Sequence, residues 1–281
     1  MEEKKEIRAF ILAKSKKHKA FCVGGVDLNT GKLVRFVSTE GGGALTKEQM
    51  KSINWFTKTT SDEVVDCEPL STVVVPIIGE KPLKYQPENV LIDTEKHWEC
   101  MEHRKDVNFK SWFASEVSRG RMEKHIQSLP LHEHEYLFGD SSPALTKDGM
   151  DKLNYSLAVI EVSELEVRFT GYYADNGYGA KLLTKPRYRA SFVYNNVKYD
   201  RMRVTDPYYF HGGENAKYYE VESSDEDLEI KTQNIGEAYL VASVPNEPYE
   251  KDGLYYKFIA AIYPKQIFKS TFNFLRGGYT F

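Results

Sequence analysis

Cysteine is scarce in this sequence, and long apolar runs are missing. The three cysteines, Cys22, Cys67 and Cys100, are odd in number and far apart, unlike a disulfide framework. No stretch approaches the roughly 18 apolar residues that a membrane-spanning helix needs. The apolar run over residues 9–13 is too short for the core of a secretion signal. We therefore expect a cytoplasmic protein without a membrane span.

Known catalytic signatures are also missing. The sequence contains no G-x-S-x-G nucleophile elbow and no phosphate-binding loop. Gly24-Gly25 and the glycine run over residues 41–43 are typical of turns rather than of a dinucleotide-binding motif. These absences favour a non-enzymatic protein that needs no cofactor, with an enzyme as the less favoured alternative.

The charge is nearly balanced overall but unevenly distributed. The net charge is −3 over 281 residues, which argues mildly against a dedicated nucleic-acid coat protein. Residues 1–35 nevertheless contain nine Lys and Arg against four Asp and Glu, and residues 181–203 contain seven against one. Two basic segments in an otherwise acidic chain predict either a local cationic patch or two solvated strand faces.

Short strands separated by tight turns dominate the pattern of the chain. Tyrosine, which favours strands, occurs 19 times. Two turns predict hairpins, Asn29-Thr30-Gly31 and Asn195-Asn196, because Asn and Gly tolerate positive φ. The predicted strands are residues 7–14, 21–27, 33–38, 64–67, 70–78, 157–162, 165–170, 188–194, 197–205, 238–244 and 255–263. An acidic stretch over 222–229 is predicted to be an exposed loop, and an aromatic tail over 268–279 is predicted to dock.

Residues 94–129 differ from this pattern and predict one or two linker helices. The segment lacks proline, and Val107, Trp112, Phe113 and Val117 are spaced to share a helix face. Five histidines lie in or just after this segment, His97, His103, His125, His132 and His134, with Cys100 among them. They match neither a C-x-x-C pair nor an H-E-x-x-H helix. Surface histidines are therefore favoured over a metal site.

Several short motifs, taken in order, resemble the dual OB-fold domain family of bacteria and archaea. They are Ser15, Lys17, Cys22 and Gly25; Gly31, Arg35, Val37 and Ser38; Gln86-Pro87-Glu88-Asn89; Val204-Thr205-Asp206-Pro207; and Lys257, Ile259, Ala260, Ala261 and Ile262. The chain departs from the family pattern at Lys19, Leu33 and Phe36, where Gly, Trp and Pro are typical. The resemblance implies two OB-like barrels in tandem and a nucleic-acid-related role linked to defence against mobile elements.

The sequence therefore predicts a mainly β protein with two small OB-like β-barrels joined by a helical linker. The predicted divisions are an N-terminal barrel over residues 5–93, a linker over 94–150 and a C-terminal barrel over 151–281. OB barrels bind single strands with cationic grooves and aromatic faces. The candidate nucleic-acid-binding residues are Lys17, Lys19, Arg35, Phe36, Arg187, Tyr188, Arg189 and Arg203.

On a strand, residues two apart share a face, so Arg187 with Arg189 and Arg201 with Arg203 are each predicted to form a cationic pair. Single-stranded DNA or RNA is the favoured partner. Two alternatives stay open from the sequence. One is a protein-interaction or regulatory module, and the other is a small-ligand sensor or enzyme that uses a cleft between the barrels.

Overall fold

A computed structural model describes residues 5–17, 20–39, 43–54, 64–66, 69–101, 136–175, 181–206 and 228–265. Strands dominate these residues, which confirms the predicted mainly β class. The first sheet contains eight strands: β1 (Glu6–Lys17), β2 (Ala20–Asp27), β3 (Leu33–Val37), β4 (Lys51–Asn54), β5 (Val64–Asp66), β6 (Thr72–Glu80), β7 (Asn89–Ile92) and β8 (Trp98–Cys100).

Five of these strands close into a ring. β1 pairs with both β2 and β6, and β3 runs parallel to β7, which gives the order β1-β2-β3-β7-β6. The remaining strands extend from β6 in the order β8-β4-β5. The inner core of this first barrel includes Ile11, Phe36, Val75 and Trp98, all essentially buried.

The second barrel repeats the same strand order. Its elements are β9 (Ala144–Leu145), α1 (Lys147–Met150), β10 (Leu157–Asp175), β11 (Lys181–Tyr194), β12 (Val197–Val204), β13 (Leu228–Ser243), β14 (Tyr255–Tyr256) and β15 (Phe258–Pro264). The closed ring is β10-β11-β12-β15-β13, with β12 and β15 parallel. In both rings the first strand pairs with the second and fourth, and the third runs parallel to the fifth. Two five-stranded barrels of this order are the predicted OB-like pair.

Both predicted hairpins are present, and their turns have clear local causes. Between β2 and β3, the Asp27 carboxylate accepts hydrogen bonds from the Asn29 backbone N–H and the Thr30 hydroxyl, at 2.9 and 2.8 Å. Gly31 then adopts a φ of +72°. Between β11 and β12, Asn195 and Asn196 have φ of +48° and +63°, a left-handed conformation that Asn tolerates well.

Three predictions about individual elements need correction or lie outside the described residues. Residues 98–100 were expected in a helix but form strand β8, because Trp98 packs against Phe36 in the first core at 5.4 Å between ring centroids. The two strands predicted over 157–170 form one strand, β10, with an irregular pairing near Glu164, whose φ is +52°. Residues 228–229 of the predicted acidic loop belong to β13. The rest of that loop, most of the predicted helical segment and the aromatic tail lie outside the described residues.

The barrels pack directly on each other through a third hydrophobic cluster, which we call the seam. The first barrel contributes outward side chains of β1 and β2, including Phe10, Leu12 and Val26. The second contributes outward side chains of β10, β13 and β15, including Val159 and Tyr263. Burial of this area stabilises the pair at about 25 cal/mol per Å² of apolar surface. The barrels therefore form one compact body.

The predicted boundaries at residues 93 and 150 stay a prediction. Strand β8 joins the first sheet although it follows residue 93. Leu137, Phe138, Leu145 and Met150 pack into the core of the second barrel although they precede residue 151. Among the described residues, no helix has the length and apolar character needed to cross a membrane.

Candidate nucleic-acid interface

Two of the predicted binding residues, Arg35 and Phe36, lie in the interior. Phe36 points into the first barrel and is 0% exposed, so its ring faces cannot stack on a base in this structure. Arg35 points outward from β3, but it meets the second barrel and is only 6% exposed. The expectation that these two residues contact nucleic acid is therefore corrected by their burial.

Arg35 is instead the centre of a polar network at the seam. Its Nη2 donates to Ser156 Oγ at 2.8 Å and to Ser243 Oγ at 3.0 Å, both in the second barrel. The same nitrogen lies 3.2 Å from Glu88 Oε1, on the loop between β6 and β7. Ser156 Oγ also donates to that Glu88 oxygen. A guanidinium with this many partners is held in place and has little capacity left for a phosphate.

The loop that carries Glu88 makes further contacts across the seam. Tyr85 OH donates to Asp151 Oδ1 at 2.5 Å, and Lys84 Nζ forms an ion pair with the same oxygen at 2.5 Å. These hydrogen bonds hold the pKa of the Asp151 carboxyl below its ordinary value, mainly through Lys84 and then Tyr85. Gln86 Nε2 donates to the Val244 carbonyl at 3.4 Å. Such loops bind ligand in many OB barrels, and here this loop binds the neighbouring barrel instead.

The basic residues at the far end of the β1–β2 hairpin remain a prediction. The backbone of Lys17 pairs with Ala20, four residues along β2 from Gly24, the partner of Arg35. That separation is about 13 Å along a strand. The side chain of Lys17 and the whole of Lys19 lie outside the described residues.

In the second barrel, Tyr188 and Arg189 lie on opposite faces of β11. Tyr188 is half-buried and packs against the inner core, whereas Arg189 points to the other side of the strand. Tyr188 therefore does not share a face with Arg189, and its role as a stacking platform stays a prediction. For Arg187, the structure gives a backbone register opposite Thr170, and its side chain lies outside the described part of the chain.

Three arginines form a row across the outer face of the second barrel. Arg168 on β10 lies directly opposite Arg189 on β11, and Arg189 lies directly opposite Arg203 on β12. Directly paired residues of antiparallel strands point to the same face, with strands about 4.8 Å apart. The inward neighbours of this row, Val167, Ala190 and Met202, are buried. We call Arg168, Arg189 and Arg203 the arginine row.

Carboxylates partly neutralise the positive charge at the Arg168 end of the arginine row. Arg168 Nε pairs with Glu166 Oε1 at 2.5 Å. Asp200 Oδ1 accepts a hydrogen bond from the Ser191 hydroxyl at 2.5 Å, and this bond, with Arg201 and Arg168 nearby, lowers the pKa of Asp200. A cleft of about 400 Å³ opens beside these groups, and Glu164, Lys198 and Asn234 also line it. At the other end, Arg203 is exposed and has no ion pair within the described residues.

A bulge in β12 separates Arg201 from the arginine row. Asp200 and Arg201 both fit into the space opposite Ser191, and Arg201 takes a φ of +53°. Its backbone N–H donates to Ser191 Oγ at 3.3 Å. Arg201 and Arg203 are both exposed, but Arg201 belongs to the bulge, and the residue that faces Arg203 is Arg189. The predicted same-face pair of Arg201 and Arg203 stays a prediction.

The structure brings no metal-ligand cluster together among the residues it describes. His97 is exposed, and Cys100 is buried in strand β8, where the helical spacing assumed for these residues does not apply. The other histidines of the predicted cluster lie outside the described residues.

A comparison with known protein families agrees with the OB-like strand order of both barrels. The model of the dual OB-containing domain matches residues 7–262. The chain belongs to this family. The match covers both barrels and the seam between them, so the dual OB-containing chain is a two-barrel OB module by sequence as well as by strand order. No curated protein and no solved structure gives a significant match.

Two basic residues of the candidate interface in this dual OB-containing chain were not predicted from the sequence. Arg168 and Lys198 lie on outer strand faces beside the predicted arginines. The alternation of Glu166 and Arg168 with buried Leu165 and Val167 marks a polar outer face. What the sequence could not supply was the register that sets Arg168 opposite Arg189.

Proposed function

We propose that the dual OB-containing chain binds single-stranded nucleic acid, in preference to duplex, on the outer face of β10, β11 and β12. The observation that carries this proposal is the arginine row, Arg168, Arg189 and Arg203, aligned across three neighbouring strands. Cationic side chains in a line follow a phosphate backbone and release its counterions. Strands β11 and β12 are the second and third of their ring, the strands that OB barrels commonly use for ligands.

The packing of the first barrel supports a binding face on the second barrel, because the equivalent face of the first barrel is covered. The corresponding outer face of β1, β2 and β3 lies against the second barrel through Phe10, Val26 and Arg35. Nucleic acid cannot reach that face without separation of the barrels. The second barrel docks with the outer side of β13, β15 and the start of β10, and none of the described seam residues belongs to β11 or β12.

Further parts of the proposal rest on the sequence and the family resemblance. Arg187, Lys17 and Lys19 contribute additional phosphate contacts. The protein acts without catalysis, in the cytoplasm, and in defence against mobile elements. The free thiol of Cys22 is compatible with a reducing compartment.

Fluorescence anisotropy with labelled single-stranded DNA and RNA oligomers, at low and physiological salt, tests the proposal. We expect binding that weakens steeply with salt. The double variant Arg189→Glu/Arg203→Glu should bind roughly 10- to 100-fold more weakly at low salt and reduce the log–log salt slope by about two. A matched control, Lys32→Glu/Lys47→Glu, makes the same charge change at exposed sites of the first barrel and should bind normally.

A third variant, Glu166→Gln, tests whether affinity can be increased. Glu166→Gln removes the partner of Arg168 without a large change of shape, so affinity should rise a few-fold. Equal affinity of the wild type and the Arg189→Glu/Arg203→Glu variant, with both folded by circular dichroism, would remove the arginine row from the binding site.

The cleft beside the arginine row favours a second candidate, a small ligand that carries both charge signs. Its volume of about 400 Å³ lies in the range of small-molecule sites. Glu164, Glu166 and Asp200 offer acceptors, and Arg168 and Lys198 offer donors. Differential scanning fluorimetry against zwitterionic metabolites tests this candidate, with Asp200→Asn expected to abolish any thermal shift. The absence of a shift across the set would exclude it.

A further inference from the structure

Two exposed tyrosines lie shortly before Phe258, the residue of β15 that pairs with Arg203 at the end of the arginine row. Tyr249 is 51% exposed and Tyr256 is 43% exposed, and their rings meet edge to face with centroids 6.0 Å apart. Single exposed apolar residues are ordinary on protein surfaces. A pair of large aromatic rings that hold each other in place is a less common surface feature, and aromatic rings are favoured at binding sites.

Backbone register connects this pair to the arginine row. Arg203 on β12 lies directly beside Phe258 on β15, and the two point to the same side of the barrel. Tyr256 precedes Phe258 by two residues, which is about 7 Å along an extended chain and on the same side. The buried residue between them, Lys257, points into the barrel and confirms this alternation. Phe258 itself is partly buried against the seam, so the exposed groups that border it on this side of the barrel are Arg203 and Tyr256.

The tyrosine pair is fixed before any ligand arrives. Tyr256 OH donates to Asp252 Oδ2 at 2.7 Å, and the Asp252 Oδ1 atom accepts from the Leu254 backbone N–H at 3.0 Å. The Tyr249 backbone N–H donates to the Leu254 carbonyl at 2.8 Å, which closes the turn that carries both rings. A ring that is already ordered loses little conformational entropy when it binds.

The neighbouring charges indicate which part of a nucleotide would fit here. Asp252, Glu247 and Glu250 lie on the same turn, with Lys251 as the single cation between residues 247 and 252. Carboxylates repel phosphate, so the backbone of a nucleic acid is favoured over the arginines and not over this turn. A base, which is uncharged and has a flat π-face, suits the tyrosines.

We propose that Tyr256, supported by Tyr249, is a stacking platform for a base of a single strand whose phosphates lie on the arginine row. This inference rests on the proposed function of that row. Stacking on an aromatic ring tolerates any base, so the platform would add affinity without sequence preference.

Substitutions at the pair, measured with two matched oligomers, test the platform. The probes are a labelled single-stranded oligothymidylate and an oligomer of the same length that carries only abasic sites. Tyr256→Ala/Tyr249→Ala should weaken oligothymidylate binding by about 5- to 150-fold and leave the salt slope unchanged, because no phosphate contact is lost. Its affinity for the abasic oligomer should equal that of the wild type. Tyr256→Phe should retain binding, since the ring remains.

The control is Ile78→Ala, which removes another exposed apolar side chain, 57% exposed and on the first barrel. It should bind like the wild type. Failure of the wild type to bind any oligomer overturns both the proposed function and this inference. Salt-dependent binding that the Tyr256→Ala/Tyr249→Ala variant retains in full overturns the stacking platform alone.

Discussion

Arg35 and Glu88 form a buried ion pair at the point where the two barrels meet. The Arg35 Nη2 atom lies 3.2 Å from Glu88 Oε1, and both side chains are less than 10% exposed, at 7% and 9%. Both residues belong to the first barrel, yet the serines that complete the network, Ser156 and Ser243, belong to the second. The pair therefore contributes to how the barrels are joined rather than to a free surface.

Removal of one partner of this pair should be strongly destabilising. Arg35→Met leaves the Glu88 carboxylate buried without its counter-charge, which costs about 3–5 kcal/mol in comparable cases. The free energy of unfolding from urea titration measures the loss. The double variant Arg35→Met/Glu88→Leu should lose less than Arg35→Met alone, because no uncompensated charge remains. A double variant that is less stable than both single variants would contradict this account.

Gly25 and Gly79 give a matched pair for a test of backbone packing in the first barrel. A Cβ atom on Gly25 would lie 2.6 Å from the Phe10 carbonyl oxygen, whereas one on Gly79 meets nothing within 4 Å. Gly25→Ala should therefore destabilise the protein by more than about 2 kcal/mol. Gly79→Ala should be neutral or stabilising by up to about 1 kcal/mol, because the unfolded chain loses freedom. Thermal unfolding of the two variants under the same conditions compares them directly.

Lys257 is a buried cation at one end of the second barrel. Its ammonium group donates to the Asp140 carbonyl and lies 5.7 Å from the centroid of the Tyr199 ring. Burial lowers the pKa of Lys257 to about 8 from an ordinary 10.5. The Tyr199 hydroxyl in turn accepts from the Leu137 backbone N–H at 2.8 Å, so the segment around residues 137–140 is held by both side chains.

The lowered pKa predicts a specific dependence of stability on pH. The folded protein releases the Lys257 proton near pH 8, whereas the unfolded chain retains it to about 10.5. The free energy of unfolding should therefore rise between pH 7.5 and 9.5, by about 1–2 kcal/mol more in the wild type than in Lys257→Met. Urea unfolding of both proteins at the two pH values measures this difference. An equal change in both proteins would show that Lys257 titrates normally.

Much of the fold was predictable because it depends on short-range chemistry. The Asn29-Thr30-Gly31 and Asn195-Asn196 turns require residues that tolerate positive φ, and both hairpins form as predicted. Trp98 was misplaced because three residues are too few to show a period. Its strand depends on partners distant in sequence, since β8 pairs with β4 and β6 and the Trp98 ring packs against Phe36. Tertiary packing of this kind overrides local propensity.

The site was less predictable, because it depends on pairing between strands. Arg189 and Arg203 were found from their spacing, but Arg168 becomes their neighbour only through the register of β10 with β11. Arg35 was assigned to the ligand from its charge and its place in the first barrel. Its burial follows from the docking of the second barrel, whose Ser156 and Ser243 lie 121 and 208 residues away in sequence.

The seam also determines which outer faces of the two barrels are used for docking. The first barrel docks with the outer face of its first three strands, and the second docks with the outer side of its first, fourth and fifth. The contact is therefore head to tail, unlike the self-complementary contact of a symmetric dimer. Within the described residues, the outer face of the first three strands is packed in the seam in the first barrel but not in the second. Under the proposed function, each chain should therefore take up one strand, without the avidity that two engaged sites would add.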